Sequence, residues 1–157
     1  MNRYIVTVMF ASLLSGCDAF QEQSLQQQIV DQQAGMAELA RVTDPAVIVA
    51  GASLYQRHCA ECHGMDAEGD ANWRQRNADG NYPPPPLNGQ GHAWHHSKQR
   101  LIEMIAEGSG PRGDMPAWEG KLSGSEMESI VAWLQAQWPD MVYDVWHERQ
   151  QAKLKVD

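Results

Sequence analysis

The chain has 157 residues, 12 basic and 20 acidic side chains, and a formal net charge of −8. That length fits one domain. The acidic balance disfavours partners such as nucleic acid and anionic lipid, and it would steer the surface toward a basic partner face. Three cysteines are an odd number, so at least one has a use other than an internal disulfide.

The chain opens with Arg3 followed by a mostly apolar run from Tyr4 to Leu14. That run is far shorter than the roughly 20 apolar residues of a membrane-spanning helix, and it reads as a secretory signal peptide. Leu14-Ser15-Gly16-Cys17 resembles the lipobox of bacterial lipoproteins. The resemblance implies removal of residues 1–16 and a lipid on the sulfur of Cys17, which would anchor the chain in a bilayer. An ordinary signal peptide cut near Ala11 or Gly16 is the alternative. Cleavage after Gly16 would remove Arg3 and no acidic residue. Asp18 is similar to the inner-membrane retention signal of enteric bacteria, which implies the periplasmic side of the inner membrane. Residues 17–43 are rich in glutamine and read as a tether. The loosely helical spacing of Leu25, Ile29, Met36 and Leu39 leaves a helix or a docking element open.

A folded domain over 44–140 begins at Asp44-Pro45, a helix N-cap followed by proline at the first helical position. This helix runs through Ala50, Leu54 and Tyr55 to Cys59. A second spans Ser97 to Glu107, with Leu101, Ile102, Met104 and Ile105 as its apolar face and Gly108 as its stop. A third starts at Ser123, whose spacing to Glu126 forms a capping box. Met127, Ile130, Val131, Leu134 and Trp138 recur at helical spacing until Pro139. Residues 141–157 are left as a C-terminal extension. No alternating strand pattern appears, so the expected fold is all-α: three main helices joined by long loops. The loop from Gly64 to Pro86, with its four consecutive prolines, is long enough to demand a functional reason.

That reason is the run Cys59-Ala60-Glu61-Cys62-His63. Two thiols three positions apart can each add across a haem vinyl group, and the following histidine then lies under the iron. This is the attachment signature of c-type haem. A thioredoxin-like pair would need a strand-helix-strand context, and a zinc site would need a second ligand pair at compatible spacing; neither is present. One haem c held by Cys59 and Cys62 also adds apolar surface to a core that three short helices leave thin. With Cys17 assigned to lipid, no thiol remains for a structural disulfide.

The domain resembles the class I c-type cytochromes. Gly51, Tyr55 and Cys59 match the family's first-helix pattern, and Trp133 matches the aromatic that packs over the glycine from the last helix. Pro85, Leu87 and Gly89 match a Gly-Pro-x-Leu-x-Gly loop, although Pro84 stands where that glycine belongs. The resemblance implies that the Pro85 carbonyl accepts the second ring proton of His63. It also implies that Met115, in Met115-Pro116-Ala117-Trp118, is the sixth iron ligand, with an open or histidine-ligated iron as the alternative. Met104 and Met127 read as core. In Gly91-His92-Ala93-Trp94-His95-His96, Trp94 or one histidine could contact haem propionates. The same histidines could instead form a surface copper or zinc site.

The expected protein is therefore a monomeric, membrane-anchored electron carrier whose iron alternates between Fe(III) and Fe(II). It is not an enzyme, and its partners are redox proteins: an oxidase, a dehydrogenase or another cytochrome. A peroxidase-like haem enzyme and a haem-based sensory or copper-handling lipoprotein are the alternatives.

Overall fold

The computed structural model describes residues 15–110 and 113–154. The signal-peptide expectation therefore lies almost wholly outside the described residues. Two compact units are present, one ending at Glu38 and one beginning at Leu39.

In the first unit, α1 (Ser15–Glu38) takes up most of the segment expected to be a tether. Its described side chains are almost all exposed, and Phe20, Leu25, Ile29, Val30 and Met36 face solvent. Its apolar residues do not gather into one stripe, so the helix has no face built for a core. Cys17 lies on α1, and its side chain is outside the described set. Among the described residues, no helix is long and apolar enough to cross a membrane.

The second unit holds α2 (Pro45–His58), the single turn α3 (Ala60–His63), α4 (Lys98–Glu107), α5 (Gly124–Gln137) and α6 (Asp140–Leu154). No strand occurs among the described residues beyond one isolated bridge between Glu119 and Leu122. The all-α expectation holds, and the three expected helices are α2, α4 and α5. Their starts follow from local chemistry. The Asp44 carboxylate accepts from the Ala46 amide at 2.9 Å, and the Ser97 hydroxyl accepts from the Arg100 amide at 3.1 Å. Ser123 and Glu126 form the reciprocal capping box at the head of α5.

The centre of the unit is the crossing of α2 over α5. A Cβ built on Gly51 would lie 2.0 Å from the Ser129 carbonyl oxygen and 2.9 Å from Trp133 Cβ. Only a residue without a side chain permits this approach. The ring of Trp133 then packs on Tyr55 at a tilt of 35°, with centroids 4.3 Å apart. Alanine at position 51 gains about 1 kcal/mol of helix propensity but drives its methyl into backbone, which cannot rotate away. Overpacking of this kind typically costs about 1–3 kcal/mol, occasionally more. Gly51→Ala should therefore lower the melting temperature. Gly124→Ala, at a site with no atom within 4 Å, should leave it unchanged or raise it. Thermal melts of the two variants check this.

The C-terminal extension is not an appendage. Pro139 ends α5 and also starts α6, because its carbonyl accepts the amides of Val142 (2.9 Å) and Tyr143 (3.1 Å). Tyr143, Trp146 and Gln150 then face inward along one side of α6 and are buried. The Tyr143 hydroxyl donates to the Leu39 carbonyl at 2.7 Å, and the Trp146 indole donates to the His96 carbonyl at 2.8 Å. Arg41 ties the same corner together. It pairs with Asp140 at 2.7 Å and lies 4.3 Å from the centre of the Tyr143 ring.

Candidate cofactor site

Cys59 closes α2, its amide bonded to the Tyr55 carbonyl at 2.8 Å. One further turn carries the chain to His63, whose amide donates to the Cys59 carbonyl at 2.9 Å. The tight turn gathers Cys59, at the N-cap of α3, with Cys62 and His63 at its end. Both thiols are free, Cys62 exposed and Cys59 half-buried. Burial, and then the neighbouring Cys62, pushes the Cys59 thiol up to about 11.

His63 is buried, and its Nδ1 lies 3.1 Å from the Pro85 carbonyl oxygen. A carbonyl can only accept, so Nδ1 carries the proton and Nε2 keeps its lone pair. Burial holds the ring below its ordinary pKa, an effect the bond to Pro85 partly opposes. The imidazole is thus neutral, oriented and ready to ligate a metal.

The missing glycine at Pro84 is compensated across the loop. The Asp70 amide donates to the Pro84 carbonyl at 2.9 Å. A Cβ on Gly69 would come within 2.5 Å of Pro85 backbone carbon and 2.8 Å of the Pro84 oxygen. Gly69, with φ +65°, therefore supplies the clearance that lets the proline run lie against the loop leaving His63.

Beside Pro85 opens a cleft of about 670 Å³, within the size range of cofactor sites. Trp73, Tyr82, Pro83 and Met104 supply apolar wall, and Arg74, His92, His96 and Arg100 supply positive or titratable wall. Among the described residues that line it there is no carboxylate. Met104, expected in the core, lines the cleft instead, whereas Met127 is buried as expected.

Met115 is half-buried against the hydrophobic core, outside the cleft lining. Its loop is held by Ser109, which does line the cleft. The Met115 amide donates to Ser109 Oγ at 2.9 Å, and its carbonyl accepts from the Ser109 amide at 3.0 Å. Asn81 donates to the neighbouring Asp114 carboxylate at 2.7 Å. Trp118 anchors the far side through its amide to Ile105 and Ala106, and its ring packs on His58.

The indole of Trp94 donates to the Gly91 carbonyl at 3.0 Å, and its ring lies under the Arg149 guanidinium. The copper or zinc reading of the histidine cluster lacks a site, because no group of three or more metal-ligating side chains occurs among the described residues. Sequence reasoning missed Trp73, Arg74 and Arg100, which belong to no local motif and become cleft wall only through the fold.

These residues fit a covalently attached haem: paired thiols, a neutral oriented imidazole, and a cleft with apolar and cationic walls. Comparison with known proteins agrees. The family described as cytochrome c oxidase, cbb3-type, subunit III, matches residues 46–134, from the start of α2 almost to the end of α5. A cbb3-type cytochrome c oxidase subunit CcoP of Azospirillum sp. (strain B510) is 28% identical over 94 residues, 60% of this chain and 30% of that protein. The subunit of the same name from Azospirillum brasilense is 30% identical over 94 residues, with the same coverage. The chain thus spans about 30% of the length of the curated relatives it matches. No solved structure matches. With more than half of the chain matched, and with the attachment run inside the matched segment, this chain belongs to the cbb3-type subunit III family and is a c-type cytochrome that carries covalently bound haem c.

Proposed function

We propose that this chain is a membrane-tethered monohaem electron carrier, exchanging single electrons with protein partners, a terminal oxidase foremost among them. The observation that carries this reading is the neutral His63, which closes the run begun by the free thiols Cys59 and Cys62 and is fixed by the carbonyl of Pro85, itself a lining residue of the cleft. Cys59 and Cys62 would hold the haem by thioether bonds, His63 Nε2 would ligate its iron, and Met115 would supply the second axial ligand. The haem supplies the one-electron chemistry. The residues of the chain bind it, orient His63 and shield the site from water. Thioether ligation would raise the reduction potential relative to two histidines. With His63 and Met115 both holding the iron, little room would remain for a substrate, which favours a carrier over an enzyme. Membership of an oxidase assembly is supported by the two CcoP relatives. Purification from native membranes, with identification of the oxidase or dehydrogenase that travels with the chain, tests it. Recovery of the holoprotein alone under mild detergent would count against that assembly.

Anchoring rests on Leu14-Ser15-Gly16-Cys17. Several acyl chains on Cys17 would hold the protein on the periplasmic face of the inner membrane. Cys17→Ser should move the haem-loaded protein from the membrane to the soluble periplasmic fraction. An intact mass of the wild type without lipid on Cys17 would overturn the assignment.

A further inference from the structure

The chain carries a net charge of −8, yet among the described residues the cleft wall collects two arginines and two histidines without a carboxylate. Such a wall favours an anion in the cleft, and the carboxylates of a haem are the anions that the electron-carrier reading supplies. This inference rests on that reading. The groups of this wall have fixed neighbours, although Arg74 and Arg100 are exposed. Arg74 lies over the Trp73 ring at 4.1 Å, and Trp73 stacks on His92 with centroids 5.3 Å apart. His92 and His96 meet edge to face at 5.9 Å, and the Trp146 indole from α6 fixes the backbone of His96. Arg100 is steadied on α4 by Glu103 at 3.0 Å and Glu107 at 3.3 Å.

We propose that His92 and His96, seated with Arg74 and Arg100 on the cleft wall, take up a proton when the cytochrome accepts an electron and release it when the electron leaves. The balance is one electron from a one-electron donor protein and a fraction of one proton from solvent, both returned on oxidation. Reduction removes one positive charge from the centre, and a nearby imidazole then holds its proton more tightly. The charged and titratable groups around the pair are known from every side. Burial, His95 and Arg74 hold His92 below its ordinary value. Burial, His92, His95, Arg100 and Lys153 of α6 do the same for His96. Two carboxylates placed in the cleft would oppose these effects and make the rings hold a proton more readily again.

The sign of the pH dependence follows from linkage. The reduced protein binds more protons than the oxidised one between the pair's two apparent pKa values, the oxidised one lying lower. Electron affinity therefore falls as pH rises through that window and is flat on either side. The expected fall is about two- to tenfold per pH unit, tenfold being the limit of one proton per electron.

Equilibrium redox titration of the full-length holoprotein across about pH 5 to 9, the range in which histidine titrates, tests this. The wild type should show the slope, and His92→Gln with His96→Gln should flatten it while the covalent haem spectrum persists. His95→Gln, at an exposed position off the cleft lining, should retain the slope. Where the double variant loses its haem, ring-proton NMR of the wild type decides, because the two cleft histidines should titrate at higher pH in the reduced protein. A slope retained in the double variant, or identical histidine titrations in both oxidation states, would overturn the proposal. A reversibly reducible holoprotein with a pH-independent potential would sink proton coupling alone. A product without covalent haem would sink the carrier reading itself.

Discussion

Replacing Cys59 and Cys62 together with serine should leave a chain that holds no haem and is largely unfolded. The exchange is close to isosteric, and Cys62 is exposed, so little stability is lost to the substitution itself. The effect comes from the cofactor. The packed core is essentially the crossing of α2 and α5, with α4 laid against α5 and α6 against the turn at Ala93–His95. The remaining interior is a cleft of about 670 Å³ bounded by long loops. Without a plate to close on, Trp73, Tyr82, Met104 and the proline run face water, and their burial no longer offsets the entropy of ordering those loops. A group bound only by the folded state stabilises it, and its loss removes that contribution in full. Each single variant should retain haem through one thioether and unfold at an intermediate temperature. Helical circular dichroism of native intensity from a haem-free double variant would show that the fold does not depend on the cofactor.

Met115→Ala should convert a sealed electron carrier into a ligand-binding haem protein. The Met115 loop is fixed at both ends, by Ser109 on one side and by the Trp118 amide, which donates to the Ile105 and Ala106 carbonyls of α4, on the other. Removal of the side chain should therefore leave the backbone in place. The thioether has no substitute in that loop. The iron should become high-spin or take up water, its potential should fall, cyanide should enter faster, and peroxidase activity should appear that the wild type lacks. Helicity should persist, since Cys59, Cys62 and His63 still hold the haem. Met104 makes a direct competitor, because it lines the cleft while Met115 lies outside the lining. Met104→Leu, a volume-conserving change, should leave the spectrum and potential nearly unchanged if Met115 is the ligand. Should Met104→Leu alone produce the high-spin spectrum, the ligand would be reassigned to α4. Ready carbon monoxide binding by the wild type, unaltered by either variant, would favour the peroxidase-like reading.

Much of the molecule is legible in the sequence, because the decisive features are local. Five consecutive residues, Cys59 to His63, define the attachment chemistry. Asp44, Ser97 and Ser123 start the three helices by hydrogen bonds to amides two or three positions on. Gly51, Tyr55 and Trp133 name the helix crossing through a spacing pattern, and the notch measured at Gly51 is its physical counterpart.

What the sequence could not reveal depends on distance. α6 escaped detection because Asp144, His147, Glu148 and Arg149 dilute its pattern, leaving a narrow inward line of Tyr143, Trp146 and Gln150. That line has meaning only against the Leu39 and His96 carbonyls that accept the hydrogen bonds of Tyr143 and Trp146. The same holds for the clearance that Gly69 gives the prolines, the bond from the Trp94 indole to Gly91, and the joining of Arg74, His92, His96 and Arg100 in one wall. Capping, helical spacing and haem attachment act over a few bonds, so the sequence by itself determined the all-α fold, the main helices and the cofactor. Cleft walls arise where loops distant in sequence converge, so only the tertiary structure decided which charges face that cofactor.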